Sequence, residues 1–175
     1  EVFRADGYIG ANMDAIAGKA GVTKQTVYRY FPSKEELFQA SLEARREKGS
    51  NAYLEELQRD DPREALYGFA LGFLKIHMSE DHLAGIRLLV SEGPTAPEIT
   101  RAHFTLGPQQ TQSRLMDFFN KHFQLKDPEY AITMLLSTLL SIRMSVLVGL
   151  NAQPSPEELE VHARRTLELF GKVLG

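Results

Sequence analysis

Lys24, Gln25, Thr26, Tyr28 and Arg29 bring an ammonium, a carboxamide, a hydroxyl, a phenol and a guanidinium together within two helical turns. In the major groove of duplex DNA a glutamine can pair in two-point fashion with adenine, and a lysine can donate to guanine. Threonine, tyrosine and arginine are common phosphate partners. This chemistry needs a short rigid element that projects the groups from one edge, and a second element to hold it. The flanking sequence offers both. Asn12 is a good N-cap for a helix over Met13 to Ala20, with Met13, Ile16, Ala17 and Ala20 at helical spacing. Gly21 suits the turn that follows. Thr23 is placed to cap a second helix, with Val27 facing inward and Tyr30-Phe31 closing it. Pro32 stops that helix, and Ser33 with Glu36 forms a capping-box pattern for the next. Small Ala17 and Ala20 would let the second helix approach closely, as a helix-turn-helix requires. The same spacing also fits a short helical hairpin packed in a bundle.

The residues carry a resemblance as well. Ile16-Ala17, Ala20-Gly21-Val22-Thr23-Lys24, Thr26-Val27-Tyr28-Arg29-Tyr30-Phe31 and Ser33-Lys34-Glu35-Glu36-Leu37 resemble the N-terminal domain of TetR-family transcriptional repressors over about residues 1–45, without gaps. With the residue chemistry above, the resemblance implies a DNA-binding set of Asn12, Thr23, Lys24, Gln25, Thr26, Tyr28, Arg29, Tyr30 and Lys34. Family members often carry Thr or Ser at the positions of Ala11 and Asn12, so a hydroxyl–phosphate contact is expected to be missing at Ala11. The position of Gln25 is often Gly or Pro, so its side chain is expected to add a base contact. The resemblance also implies a longer first helix, often with a basic arm, ahead of Glu1-Val2-Phe3-Arg4-Ala5-Asp6-Gly7. That stretch reads as the last turns of a helix with Gly7 as its stop.

Net charge is −3, with Lys and Arg numbering 20 against 23 Asp and Glu. Residues 1–48 hold eight basic and seven acidic residues, or +1, leaving −4 for the remainder. A general polyanion binder is disfavoured, and any DNA contact rests on local placement of Lys24, Arg29 and Lys34. The absence of cysteine excludes disulfide and thiolate–metal chemistry and fits a reducing cytoplasm. No signal-peptide pattern is read, and a cytoplasmic location is expected.

Beyond the head the chain reads as all helix. One long helix is expected from Ser33 toward Asn51, with Leu37, Ala40-Ser41, Ala44 and Lys48 in period and Arg45-Arg46-Glu47-Lys48 as a solvated face, or alternatively a contact to the DNA backbone. In the family this helix links the head to the body. Further helices are expected over Pro62–Ser79, His82–Glu92, Pro97–Phe123 with an interruption near Gly107-Pro108, Pro128–Leu150 and Ser155–Leu174. The expected fold is all-α. A helix-turn-helix domain occupies 1–45, its first helix truncated, and a helical-bundle domain for ligand binding and dimerisation occupies 46–175.

Two features of the body suggest function. Ala131 to Leu150 is nearly long enough to span a bilayer, but Arg143, Thr133, Ser137, Ser141 and Ser145 argue for a buried or interfacial helix. The last helix has one apolar stripe of Leu159, His162, Ala163, Thr166, Leu167, Phe170, Val173 and Leu174. The resemblance implies a homodimer through these two helices, about 128–150 and 155–174; the alternative is that the stripes pack inside one subunit, and one helix can share both uses. Second, Phe69, Phe73 and His77, with His103, Phe104 and Leu106 and with Met134, Ser137 and Met144, combine bulky apolar groups with sparse polar ones. Phe69, Phe73, His77, His103, Phe104, Met134, Ser137 and Met144 are therefore expected to line a cavity for a small hydrophobic effector, although aromatics and Met at helical spacing also make ordinary core. Arg87, Glu92 and Arg143 stand out on apolar helices, as ligand-orienting groups, a structural ion pair or exposed charges.

Catalysis finds no support. The five histidines lack metal spacing, and His77 and His82, five apart, fall off one helix face. No strand–turn–Ser motif or phosphate-cradling glycine loop occurs. No cofactor, catalytic residue or metal is expected, and no membrane partner. The function expected is a ligand-responsive repressor that binds an inverted-repeat operator on double-stranded DNA as a homodimer and is released by a small-molecule effector. The alternative is a helical small-molecule-binding or scaffolding protein whose head docks a protein partner.

Overall fold

Local side-chain caps set several helix starts. Asn12 Oδ1 accepts from the Ala15 N–H at 2.8 Å, and Thr23 Oγ1 accepts from the Thr26 N–H at 3.2 Å. Ser33 Oγ accepts from the Glu36 N–H at 3.1 Å. Asp61 and Asp127 cap two helices that begin with proline, where the missing N–H costs nothing. Ser155 and Glu158 form a full reciprocal box, with the Ser155 N–H donating to Glu158 Oε2 at 2.7 Å and the Glu158 N–H donating to Ser155 Oγ at 3.2 Å.

The structure, a computed structural model, describes residues 2–48 and 52–174, without the side chains of 45–48, 106, 173 and 174. The expected helix end at Asn51, the charged face Arg45–Lys48, Leu106 as a cavity neighbour and the stripe positions Val173 and Leu174 lie outside the described residues. The helices are α1 Val2–Ala5, α2 Gly7–Gly10, α3 Met13–Ala20, α4 Lys24–Tyr30, α5 Lys34–Lys48, α6 Ala52–Glu55, α7 Pro62–His77, α8 Glu80–Glu92, α9 Pro97–Leu106, α10 Pro108–His122, α11 Pro128–Leu139, α12 Arg143–Leu147 and α13 Pro156–Leu174. Short 3-10 turns cover Glu56–Gln58 and Leu140–Ile142. The protein is all-α, with no strand among the described residues.

The chain forms two compact units, 1–49 with 84–108, and 50–83 with 109–175. The first unit thus takes in the end of α8 and all of α9 besides the head. Its main apolar cluster joins Tyr8, Phe38, Ala96 and Ile99, with Phe3, Leu42, Leu88 and Leu89 packed around them. The Tyr8 ring meets Phe3 and Phe38 at centroid distances of 5.9 and 5.2 Å. Burial first, and then the Glu98 carboxylate, push the Tyr8 phenol up to about 12. It is therefore a neutral donor to Glu98 at any physiological pH. The start of the chain departs from expectation: Gly7, at φ +73°, ends one helical turn and also opens another, α2.

The second unit holds the larger core. Leu66, Phe69, Phe73 and Leu74 of α7 pack with Phe119 of α10, Leu135 and Leu139 of α11, and Ala163 and Phe170 of α13. By length and composition Pro128–Leu147 would suffice to cross a bilayer. Here Ala131, Ile132, Leu135 and Leu139 bury one face of that stretch, and the 3-10 turn at Leu140–Ile142 interrupts it.

One stability prediction follows from the caps. Asn12→Ala should lower unfolding free energy by about 1 kcal/mol. Urea denaturation followed by circular dichroism reads this; an unchanged midpoint would mean that the cap does not stabilise α3.

Candidate nucleic-acid interface

The head is a small helix pair with its own core. Met13, Ala17 and Val27 are buried together, and Ile16, Phe31 and Leu37 cover them. Ala20 does not join them; it is exposed, so Met13 and Ala17 make the close face. Gly21 ends α3 at φ +68°, with its N–H turned back to Ala17 O and Gly18 O. A left-handed residue here reverses the chain in three residues, which is what a tight helix–turn–helix corner demands.

This geometry leaves one edge of α4 free. Gln25 is exposed, Tyr28 is 42% exposed and Tyr30 64%. Thr26 is half-buried, and its hydroxyl lies 2.9 Å from Thr23 Oγ1, so both threonines serve the helix start. Asn12 is likewise engaged as a cap. Arg29 Nη2 donates to the Tyr30 hydroxyl at 3.1 Å, and the guanidinium sits 5.0 Å from the Tyr30 ring centre. The pair thus presents a pre-ordered donor group at the exposed end of α4.

Two cations are held in ways the sequence did not indicate. Lys24 Nζ lies 2.8 Å from Asp14 Oδ2, and that hydrogen bond, then the carboxylate charge, raise the ammonium above its ordinary range. Both partners are more than half exposed, so the tie is weak and easily exchanged. Lys34 turns inward. Its ammonium donates to Tyr8 O at 2.8 Å, Ala11 O at 3.1 Å and Ile9 O at 3.3 Å, and stands 4.6 Å from the Tyr8 ring centre. Three carbonyls take its three protons, so Lys34 caps the end of α2 here, and the expected phosphate contact would exchange for one of these bonds.

The expected cavity residues fall into separate settings. Phe69 and Phe73 are sealed in the second unit's core, with rings 5.6 Å apart. His77 stacks on Phe73 at 3.8 Å, and its Nδ1 lies 2.8 Å from Phe73 O. Met134, Ser137 and Met144 are exposed, unlike the buried rings of Phe69 and Phe73. On α11 Leu135 and Leu139 go inward and Met134 outward; on α12 Val146 goes inward and Met144 outward. In the first unit His103 is half-buried and Phe104 is 60% exposed. An open depression of about 440 Å³ at the start of α13 is lined by Glu157, Glu158, Val161, His162 and Arg165. Its lining mixes Val161 and His162 with the charged Glu157, Glu158 and Arg165.

The three charges that stood out resolve differently. Arg87 is exposed. Arg143 is half-buried, and burial pulls its guanidinium below its ordinary range. Glu92 Oε2 accepts from the Ile9 N–H at 2.7 Å, a partner 83 positions away that no local pattern could reveal. His77 and His82, expected on different faces, have ring centres 4.5 Å apart, because α7 ends at His77 and the chain turns back before His82. No group of three or more metal-ligating side chains occurs among the described residues.

Comparison with known proteins agrees with this geometry. Residues 1–41 match the bacterial regulatory proteins of the tetR family, and residues 64–173 match the C-terminal domain of AefR-like transcriptional repressors. A solved TetR-family transcriptional regulator from Mesorhizobium loti is 28% identical, with a TM-score of 0.85 over 99% of this chain and 91% of that one. The flavonoid-responsive regulator FrrA is 31% identical, with a TM-score of 0.73 over 98% of this chain and 90% of that one. The HTH-type transcriptional activator FasR of Mycolicibacterium smegmatis is 51% identical over 43 residues, 25% of this chain and a fifth (20%) of that relative's length.

The fold and the family matches define a DNA-binding, helix-turn-helix transcriptional regulator rather than an enzyme. The chain belongs to the TetR family. Members of that family bind operator DNA, typically as dimers, and respond to small-molecule effectors.

Proposed function

We propose that the chain is a cytoplasmic homodimeric repressor that reads an inverted-repeat operator through α4 and leaves it when a small hydrophobic effector binds the body. The observation that carries the DNA reading is the exposed edge of Gln25, Tyr28, Arg29 and Tyr30, backed by the rigid core of Met13, Ala17 and Val27. Repression rather than activation is supported by the AefR-like repressor match across residues 64–173. The activator FasR matches the head alone and does not bear on the sign. Residues 1–45 remain the functional head in this reading, with Asn12 capping α3, Thr23 and Thr26 shaping the start of α4, and Lys24 and Arg29 meeting phosphate or base edges.

The homodimer forms through α11, α12 and α13. Exposed Tyr130, Met134, Met144, Val148, Val161 and Leu169 support that assignment, because large apolar groups in this number favour a covered face. The effector meets the aromatic ladder of Phe69, Phe73 and His77 from its half-buried His77 end. The flavonoid response in FrrA's description makes planar aromatic compounds the first class to test.

The experiment selects duplexes from a randomised pool with the unmodified protein and measures binding by gel shift. Gln25→Ala and Tyr28→Ala should each weaken the selected duplex by about 1–3 kcal/mol per half-site while barely changing affinity for random duplex. Equal losses on both duplexes would show that these side chains do not read bases.

A further inference from the structure

The one-turn helix α2 joins the start of the chain to the helix-turn-helix, and both of its ends are gripped by charge. At its start, Glu92 Oε2 accepts from the Ile9 N–H at 2.7 Å. Gly7 fits beneath the same carboxylate: a Cβ there would collide with Glu92 Oε1. At its finish, the Lys34 ammonium collects the carbonyls of Tyr8, Ile9 and Ala11. An anion at a helix start and a cation at its end both oppose the backbone's own partial charges. Hydrogen bonds to ionised groups are also stronger than neutral ones.

Glu92 itself is poorly placed for its own helix. It is the last residue of α8, where the carbonyl end disfavours an anion. A residue that breaks a local rule marks a role elsewhere. Its carboxylate makes no ion pair among the described residues, and the Ile9 amide is its hydrogen-bond partner. After Gly10 only Ala11 intervenes before Asn12 caps α3, and Ala11 is buried at 2% exposure. Little slack remains between α2 and the recognition pair.

We propose that Glu92 is a positioning residue for DNA binding: with Lys34 it clamps α2, and the clamped α2 fixes how α3 and α4 present Gln25, Tyr28 and Arg29. Glu92 touches no nucleic acid in this role. The proposal rests on α4 being the DNA-reading helix.

The test compares the unmodified full chain with Glu92→Leu, Glu92→Gln and Gly7→Ala. Amide hydrogen exchange is followed over residues 8–31 and, as control, 64–77. Binding is measured to a duplex selected from a random pool by the unmodified protein, and to random duplex. Glu92→Leu should speed exchange at residues 8–12 and weaken the selected duplex, each by about tenfold, with random-duplex affinity and control exchange unchanged. Glu92→Gln keeps an acceptor at the same reach and should retain most of the binding. Gly7→Ala, which drives a methyl into the carboxylate, should resemble Glu92→Leu. The proposal is overturned if Glu92→Leu behaves as the unmodified chain, if it loosens the control region equally, or if both duplexes are lost alike. Failure of the unmodified chain to select any duplex would remove the DNA reading; exchange at residues 8–12 would still decide whether Glu92 clamps α2.

Discussion

A chain carrying both Val161→Glu and Leu169→Glu should run as a monomer and bind its selected duplex roughly 10²–10⁴-fold more weakly, because two linked heads raise each other's effective concentration by that order. Both residues project from α13 into solvent, at 48% and 62% exposure, while Leu159, Ala163 and Phe170 of the same helix are buried. The substitutions therefore leave the core of the second unit untouched. Under twofold symmetry the same patch faces itself, so two substitutions place four carboxylates in one interface. Light scattering coupled to size exclusion reads the mass, and fluorescence anisotropy reads the affinity. A stable dimer at micromolar concentration would refute the assignment of α13 to the partner face.

Phe69→Ala should have the largest effect on stability. Its ring is fully buried and lies 5.7 Å from Tyr53 and 5.6 Å from Phe73. Truncation leaves a void that surrounding helices cannot fill, at a cost of about 3–5 kcal/mol. For a chain of this size that lowers Tm by about 6–20 °C, taking roughly 2–4 °C per kcal/mol. Phe104→Ala is the matched control. That ring is 60% exposed, so its loss should change stability by less than about 0.5 kcal/mol. Calorimetry that found the two variants equal would place Phe69 outside the effective core.

The head was legible because its determinants are local. Asn12, Gly21, Thr23 and Ser33 act within four residues of themselves, and each is found capping or turning as its type requires. The body was legible in period but not in direction. On α11 and α12 both faces carry apolar residues, and periodicity alone does not say which turns inward; Leu135 and Leu139 do, and Met134 and Met144 do not. Of the eight expected cavity residues, Phe69 and Phe73 lie inside the core while Phe104, Met134, Ser137 and Met144 lie outside it. Long-range ties were invisible for a different reason. Glu92 to Ile9 and Lys34 to Tyr8 cross 83 and 26 positions, and such bonds leave no trace in spacing. The approach of His77 and His82 depends on where α7 stops, a boundary that a histidine-spacing rule for one continuous helix does not consider.

The tie between Asp14 and Lys24, together with the inward turn of Lys34, alters how the head would meet a phosphate backbone. Of Lys24, Arg29 and Lys34, the first has an acidic companion and the last donates to carbonyl oxygens. Each phosphate neutralised by a free cation expels condensed counterions, with a logarithmic salt slope of about −0.9 per contact. With Lys34 held by three carbonyl oxygens, the salt dependence of the proposed complex would fall among the described residues on the exposed Lys24 and Arg29, each of which, replaced by alanine, should flatten the slope by about one contact.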